Sequence, residues 1–202
     1  MAPKPIVLAS GSTTRAEMLR AAKVAFEVVP ANVDEDAIRQ ALKADCEEID
    51  PADLAEVLAR AKAEEVSARR PDALVIGADQ VLALGGEIFT KAADAMEAGS
   101  ALRRLRGNTH ELHSAVVIAG NGATEWSLVD TAFMTMRDVS ESFLAAYLHE
   151  AGDALTACVG CYQIEGPGIQ LFEKIEGDYF TILGLPLLPL LAELRDRKAL
   201  PQ

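Results

Sequence analysis

Ala73-Leu74-Val75-Ile76-Gly77-Ala78 has no polar side chain on either of its two faces. A strand of that kind is apolar enough to be buried on both sides, which calls for a sheet with layers packed over each face. Asp79 ends the run. In open α/β sheets, ligands gather beyond the carboxyl ends of such strands, so Asp79 is a candidate site acid. A turn aspartate bonded to nearby backbone accounts for the same position equally well.

Around this strand the pattern mixes helices with hairpins. Ile6 to Ala9 reads as a first strand and Arg15 to Ala22 as a first helix. Val24 to Val29 alternates and reads as a strand ended by Pro30, and Val33-Asp34-Glu35-Asp36 reads as an acidic turn. Asp50 at the N-cap and Pro51 at the first helical position open a helix with Leu54, Val57, Leu58, Ala61 and Val66 on one stripe. Val81 to Leu84 meets Gly85-Gly86, and Glu87 to Thr90 returns as a hairpin. A helix over Asp94 to Arg106 stops at Gly107, and Leu112 to Ala119 pairs with Thr124 to Met136 across Gly120-Asn121-Gly122. Ser140 caps a helix, Leu155 to Cys158 is a short element, and Ile169 to Phe172 reads as a strand after the Gly166-Pro167-Gly168 loop. A last helix follows Gly184-Leu185-Pro186 and ends near Arg195. This order predicts an α/β or α+β fold with a mixed sheet, as one domain or two closely packed lobes. The chain has neither G-x-G-x-x-G nor a P-loop, which argues against a doubly wound dinucleotide fold.

The net charge of −12 over 202 residues excludes a general nucleic-acid or anionic-membrane surface. A small polyanion stays possible, because a local cluster of Lys and Arg outweighs distant acids that salt screens. No apolar stretch approaches membrane-span length, and no secretory signal is visible, so a cytoplasmic location is expected. The three cysteines, Cys46, Cys158 and Cys161, do not suggest a disulfide framework. Cys158-Val-Gly-Cys161 lacks a second pair or a nearby histidine, so buried small residues or a redox pair fit better than zinc.

Several polar residues resist a purely structural reading. Ser10-Gly11-Ser12-Thr13-Thr14-Arg15 follows the first strand and opens a helix, whose free N–H groups and dipole suit an anion. Arg15 puts a positive charge in the first turn, where a helix by itself prefers an acid. Lys62 lies four residues after Leu58 and four before Val66, on the apolar stripe. It either snorkels to the edge or points its ammonium into a cleft. Lys91 reads as a loop lysine, Glu35 as a solvated turn acid, and Glu165 as part of a loop whose glycines allow close approach to a ligand. His110, His113 and His149 do not combine into a metal set.

Together these segments resemble the Maf family of nucleoside triphosphate pyrophosphatases, over nearly the whole chain. The resemblance rests on Leu8-Ala9-Ser10-Gly11-Ser12-Thr13-Thr14-Arg15, Gly77-Ala78-Asp79-Gln80-Val81, Lys91, and Leu105-Arg106-Gly107-Asn108-Thr109-His110. It continues in Gly166-Pro167-Gly168-Ile169, Ile175-Glu176-Gly177-Asp178-Tyr179 and Gly184-Leu185-Pro186-Leu187. It implies one Maf-like domain over 1–202, a two-lobed α/β fold with a mixed central sheet flanked by helices, and a cleft between lobes, as in inosine-triphosphate pyrophosphatase. It implies cleavage of a nucleoside triphosphate to monophosphate and pyrophosphate with a divalent cation, Mg²⁺ or Mn²⁺, and suggests a homodimer. By position, Asp79 matches the catalytic acid, and Asp79 with Glu35 the metal-binding acids. Ser10, Ser12, Arg15, Lys62, Gln80, Lys91 and Glu165 match substrate-binding positions.

Thr14 stands where many members carry an arginine, and Thr13 and Ala92 replace prolines. Gln80, Glu165 and the absence of Arg at position 14 resemble the branch acting on 7-methyl-GTP rather than the one acting on dTTP and UTP. That branch commonly has an aromatic at position 14, suited to stacking on a cationic purine, and Thr14 cannot stack. A non-catalytic nucleotide-binding regulator, in a family also linked to septum formation, and an interaction protein with a relic cleft are the alternatives.

Overall fold

The apolar run does not stop at Asp79. In the computed structural model, which describes residues 4–45 and 48–201, the strand β3 spans Leu74–Leu84 and carries Asp79 in its middle. Val81, Leu82 and Ala83 are buried as well, so the strand continues because its apolar character resumes after two polar residues. Cys46 lies outside the described residues.

Chain order begins β1 (Ile6–Leu8), α1 (Thr13–Ala21), β2 (Glu27–Val28), α2 (Glu35–Asp45), α3 (Pro51–Arg69) and β3. It goes on with β4 (Glu87–Phe89), α4 (Ala95–Leu105), β5 (Thr109–Gly120), β6 (Ala123–Met136), α5 (Glu141–Glu150) and α6 (Ala154–Ala157). A 3-10 turn (Pro167–Leu171), β7 (Phe172–Glu176), α7 (Tyr179–Ile182) and α8 (Leu187–Asp196) complete it. The strands form one mixed sheet in the order β2-β1-β3-β5-β6-β7, with β4 hydrogen-bonded to β3. β1 lies parallel to both β2 and β3, with Val7 opposite Glu27 and Val75, while β3–β4 and β6–β7 are antiparallel.

By contacts the chain divides into two compact units. The first holds the stretch up to Gln80, His113–Asp130 and the segment from Asp178 onward. Within it the two faces of β3 are both covered, as its composition requires. Leu74, Ile76 and Ala78 pack with Leu8, Leu19, Leu185 and Leu190, bringing in α1 and α8. Val75 points the other way, with Val7, Ala9 and Val66 of α3. Alternation along the strand therefore sends odd-numbered residues toward α3 and even-numbered ones toward the C-terminal helices.

The second unit holds Val81–Leu112 and Thr131–Gly177. Its core contains the fully buried imidazole of His110 between the rings of Tyr162 and Phe172, with centroids at 5.7 and 5.9 Å. Nε2 lies 2.6 Å from the Tyr162 hydroxyl, and the buried Nδ1 has no hydrogen-bond partner. Burial lowers the His110 pKa to about 4. The unfolded chain protonates its histidine near the ordinary ~6.5, so from that pH down the unfolded state binds the extra proton. This contribution to stability is complete above ~6.5 and falls by roughly 3 kcal/mol on acidification to about 4. Urea titrations at stepped pH should show that slope, and His110→Asn, which does not titrate, should flatten it.

Several local expectations need correction. The acidic turn at Val33–Asp36 is the start of α2: the Asp34 carboxylate accepts from the Ala37 N–H at 2.9 Å, and Glu35 and Asp36 fill the first turn. The strand expected over Ile169 to Phe172 is a 3-10 turn, and pairing begins only at Phe172, where β6 offers a free edge. β2 shrinks to Glu27–Val28, and the element near Leu155 is the one-turn helix α6.

Candidate active site

β1 ends in the turn Ser10-Gly11-Ser12, and Ser12 caps α1, its hydroxyl accepting from the Arg15 N–H at 3.3 Å. The Ser12 N–H donates to Ser10 Oγ at 3.2 Å, so both serines shape the turn itself. Arg15 is held by three acceptors. Nε donates to the Gly184 carbonyl at 2.7 Å, and Nη1 to the Ala78 carbonyl at 3.0 Å and Ser10 Oγ at 3.3 Å. Burial pushes the guanidinium's pKa down, and the charges of Asp79 and Glu35 oppose that shift. An arginine remains protonated throughout the physiological range.

Asp79 faces α3, the side to which Gly77 also points. A Cβ at Gly77 would meet the Ala59 carbonyl and the Ala63 backbone, so helix and strand touch closely here. That approach brings Lys62 over the strand. Its ammonium lies 2.6 Å from Asp79 Oδ1 and 2.8 Å from Glu35 Oε1, and its side chain is only 13% exposed. Of the two readings open for an apolar-stripe lysine, the structure takes the inward one. Burial by itself would raise the Glu35 pKa, but the hydrogen bond and charge of Lys62, with Arg39 and Arg15, hold it below the ordinary carboxylate value.

Asp79 Oδ2 is buried and has no hydrogen-bond partner. A buried carboxylate oxygen without a donor is costly, and a ligand or cation is a frequent reason for keeping one. Among the described residues no group of three or more His, Cys, Asp or Glu forms a metal cage. Mg²⁺ does not need one: it keeps several waters and takes one or two carboxylates together with substrate phosphate oxygens. Asp79 and Glu35, joined through Lys62, fit that donor set.

Gln80, the next residue, points to the opposite face of β3 and donates from Nε2 to Ser114 Oγ, Thr181 O and Ile182 O at 3.0, 3.1 and 3.0 Å. Ser114, Thr181 and the helix α7 have no place among the sequence expectations. Four residues show no periodicity, and their only sequence signals were Asp178 as an N-cap and Gly184 as a terminator.

Lys91 and Glu165 belong to the second unit, where both are exposed. Each acts electrostatically on the half-buried Cys158, Lys91 favouring and Glu165 opposing its thiolate. Burial raises the Cys158 thiol's pKa and pushes Cys161 up to about 11. Both therefore stay protonated at neutral pH, as buried structural thiols do.

The profile of the family described as Maf-like protein matches residues 5–197. The chain belongs to the Maf family. A 7-methyl-GTP pyrophosphatase of Brucella abortus biovar 1 is 50% identical over 195 residues, covering 96% of this chain and 97% of that protein. Another, from Mesorhizobium japonicum, is 55% identical over 190 residues, 94% of each chain. A nucleoside triphosphate pyrophosphatase of Caulobacter vibrioides is 50% identical over 200 residues, 99% of each chain. For this Maf protein, the mixed seven-stranded sheet flanked by helices meets the fold expected from its sequence. No helix among the described residues is long and apolar enough to cross a membrane.

Proposed function

We propose that this protein hydrolyses nucleoside triphosphates to the monophosphate and pyrophosphate, with 7-methyl-GTP as preferred substrate. The observation that carries the reading is Asp79: a buried carboxylate with one oxygen on Lys62 and the other without a partner, inside a family whose near full-length relatives are named for this reaction. Asp79 Oδ2 is the acceptor for a proton of the attacking water. The water oxygen forms its bond to the α-phosphorus as the bond to the β-phosphate bridging oxygen breaks, and pyrophosphate leaves. Asp79 and Glu35 would hold a divalent cation, which when bound would supply charge neutralisation for the polyphosphate.

Lys62, Arg15 and the N–H groups of the Ser10–Ser12 turn add positive potential for the charge that develops on pyrophosphate. Lys91 and Glu165 are proposed as further substrate contacts. The preference for 7-methyl-GTP draws on the relatives carrying that name and on Gln80 and Glu165.

Pyrophosphate release from 7-methyl-GTP, GTP, dTTP and UTP tests both levels, with Mg²⁺, with Mn²⁺ and with chelator. The expected result is metal-dependent release with kcat/KM for 7-methyl-GTP about tenfold or more above the others. Release from dTTP and UTP at the higher rate would reassign the base. No release from any of the four would end the pyrophosphatase reading.

A further inference from the structure

Arg15 leaves one corner of its guanidinium for a ligand. Nε and Nη1 are spent on protein acceptors, and Nη2 makes no such bond among the described residues. The group is planar, so whatever fixes Nε also fixes the direction of Nη2. The strongest of these fixing contacts, at 2.7 Å, comes from the Gly184 carbonyl, 169 residues away in sequence.

That carbonyl sits on a segment that cannot hold itself. α7 has four residues, too few for a helix to persist without outside support. It is pinned by side chains from three strands. Gln80 of β3 donates to the carbonyls of Thr181 and Ile182, and Ser114 of β5 donates to Thr181 O at 2.7 Å. Thr181 Oγ1 donates to Asp130 of β6 at 2.5 Å. Asp178 caps the N–H groups of Phe180 and Thr181, and the Gly184 N–H returns to Thr181 O at 3.0 Å. Ser114 and Thr181 are fully buried, so these bonds have no water to replace them. Gly184 has φ of +92°, and a Cβ there would lie 3.4 Å from Arg15 Nη2 and 3.6 Å from the Gln80 amide carbon. The turn is thus fitted to both side chains at once.

Gln80 has two amide hydrogens and three acceptors around them. Its donors are therefore committed to holding this segment. We propose that Gln80, Ser114, Thr181 and Asp130 are positioning residues that aim Arg15 Nη2 at the triphosphate by fixing the Gly184 carbonyl. This inference rests on the pyrophosphatase reading for its substrate, and on the geometry alone for its mechanism.

The test is a double-mutant cycle on Gln80 and Arg15, read in the Kd for inorganic tripolyphosphate by calorimetry and in parallel in kcat/KM for pyrophosphate release. Arg15→Ala should weaken both by about 100-fold and Gln80→Ala by about tenfold. The double variant should be no worse than Arg15→Ala within about twofold, because the contribution of Gln80 passes through Arg15. Losses that multiply to about 1,000-fold would overturn the proposal, as would a wild type that binds no tripolyphosphate. A wild type that binds tripolyphosphate but releases no pyrophosphate would sink the pyrophosphatase reading, while the Kd cycle still decides this one. If Gln80→Ala does not fold, Thr181 serves instead. Thr181→Ser keeps the hydroxyl and should retain affinity, whereas Thr181→Val should lose about tenfold by the same route through Arg15. Equal affinity in these two variants would overturn the proposal.

Discussion

Asp79→Asn should lower kcat for pyrophosphate release by about a thousandfold, because in the proposed mechanism it removes both the proton acceptor and one anionic ligand for a divalent cation. The fold should hardly notice. Lys62 keeps its 2.8 Å contact with Glu35, and the partnerless Oδ2 is itself a burden on the native state. Residues kept for chemistry commonly cost stability, so the thermal midpoint of the variant should stay within about 5 °C of wild type. Steady-state kinetics together with a thermal melt separate the two effects. A variant that keeps more than about a tenth of wild-type turnover would show that Asp79 is not the acceptor. Lost turnover with a collapsed melt would make it a structural residue instead.

Much of this site was legible because its residues break local rules. Lys62 violates the apolar stripe of α3, Asp79 interrupts a strand that is otherwise buried on both faces, and Arg15 occupies a first turn that holds no acid. Each violation survives only because a tertiary partner compensates it. The partners themselves were less visible. Glu35 reads as a turn residue by its acidic neighbours, although Asp34 followed by two acids and by Ala37, Ile38, Ala41 and Leu42 is an N-cap ahead of an apolar stripe. Ser114, Asp130 and Thr181 left no pattern at all, since their bonds span 51 to 67 residues and join elements whose order alone does not fix their register. Lys91 enters as a candidate only by resemblance, because an exposed loop lysine carries no local anomaly, whereas Glu165 has the flanking glycines of its loop as a weak local signal.

Gly77→Val should be the most destabilising single change in the first unit. Glycine weakens a strand interior and is kept where another backbone comes close. At Gly77 a Cβ would run into the Ala59 carbonyl and would lie 2.7 Å from Ala63 Cβ and 2.8 Å from Ala63 N. These are atoms of the helix α3 itself, so no flexible side chain can yield. The helix would have to lift from the strand, uncovering Leu58, Ala59, Ala63 and Val66, all of them fully buried. Overpacking of this kind costs about 3 kcal/mol or more, against a total stability of roughly 10. The same displacement carries Lys62 away from Asp79, so turnover should fall even in the fraction that remains folded. Gly11→Ala is the control: its Cβ meets nothing within 4 Å, and the urea midpoint should not move. A Gly77→Val protein that unfolds at the wild-type urea concentration would mean that α3 does not rest on β3 at this point, and the position of Lys62 would lose its physical basis.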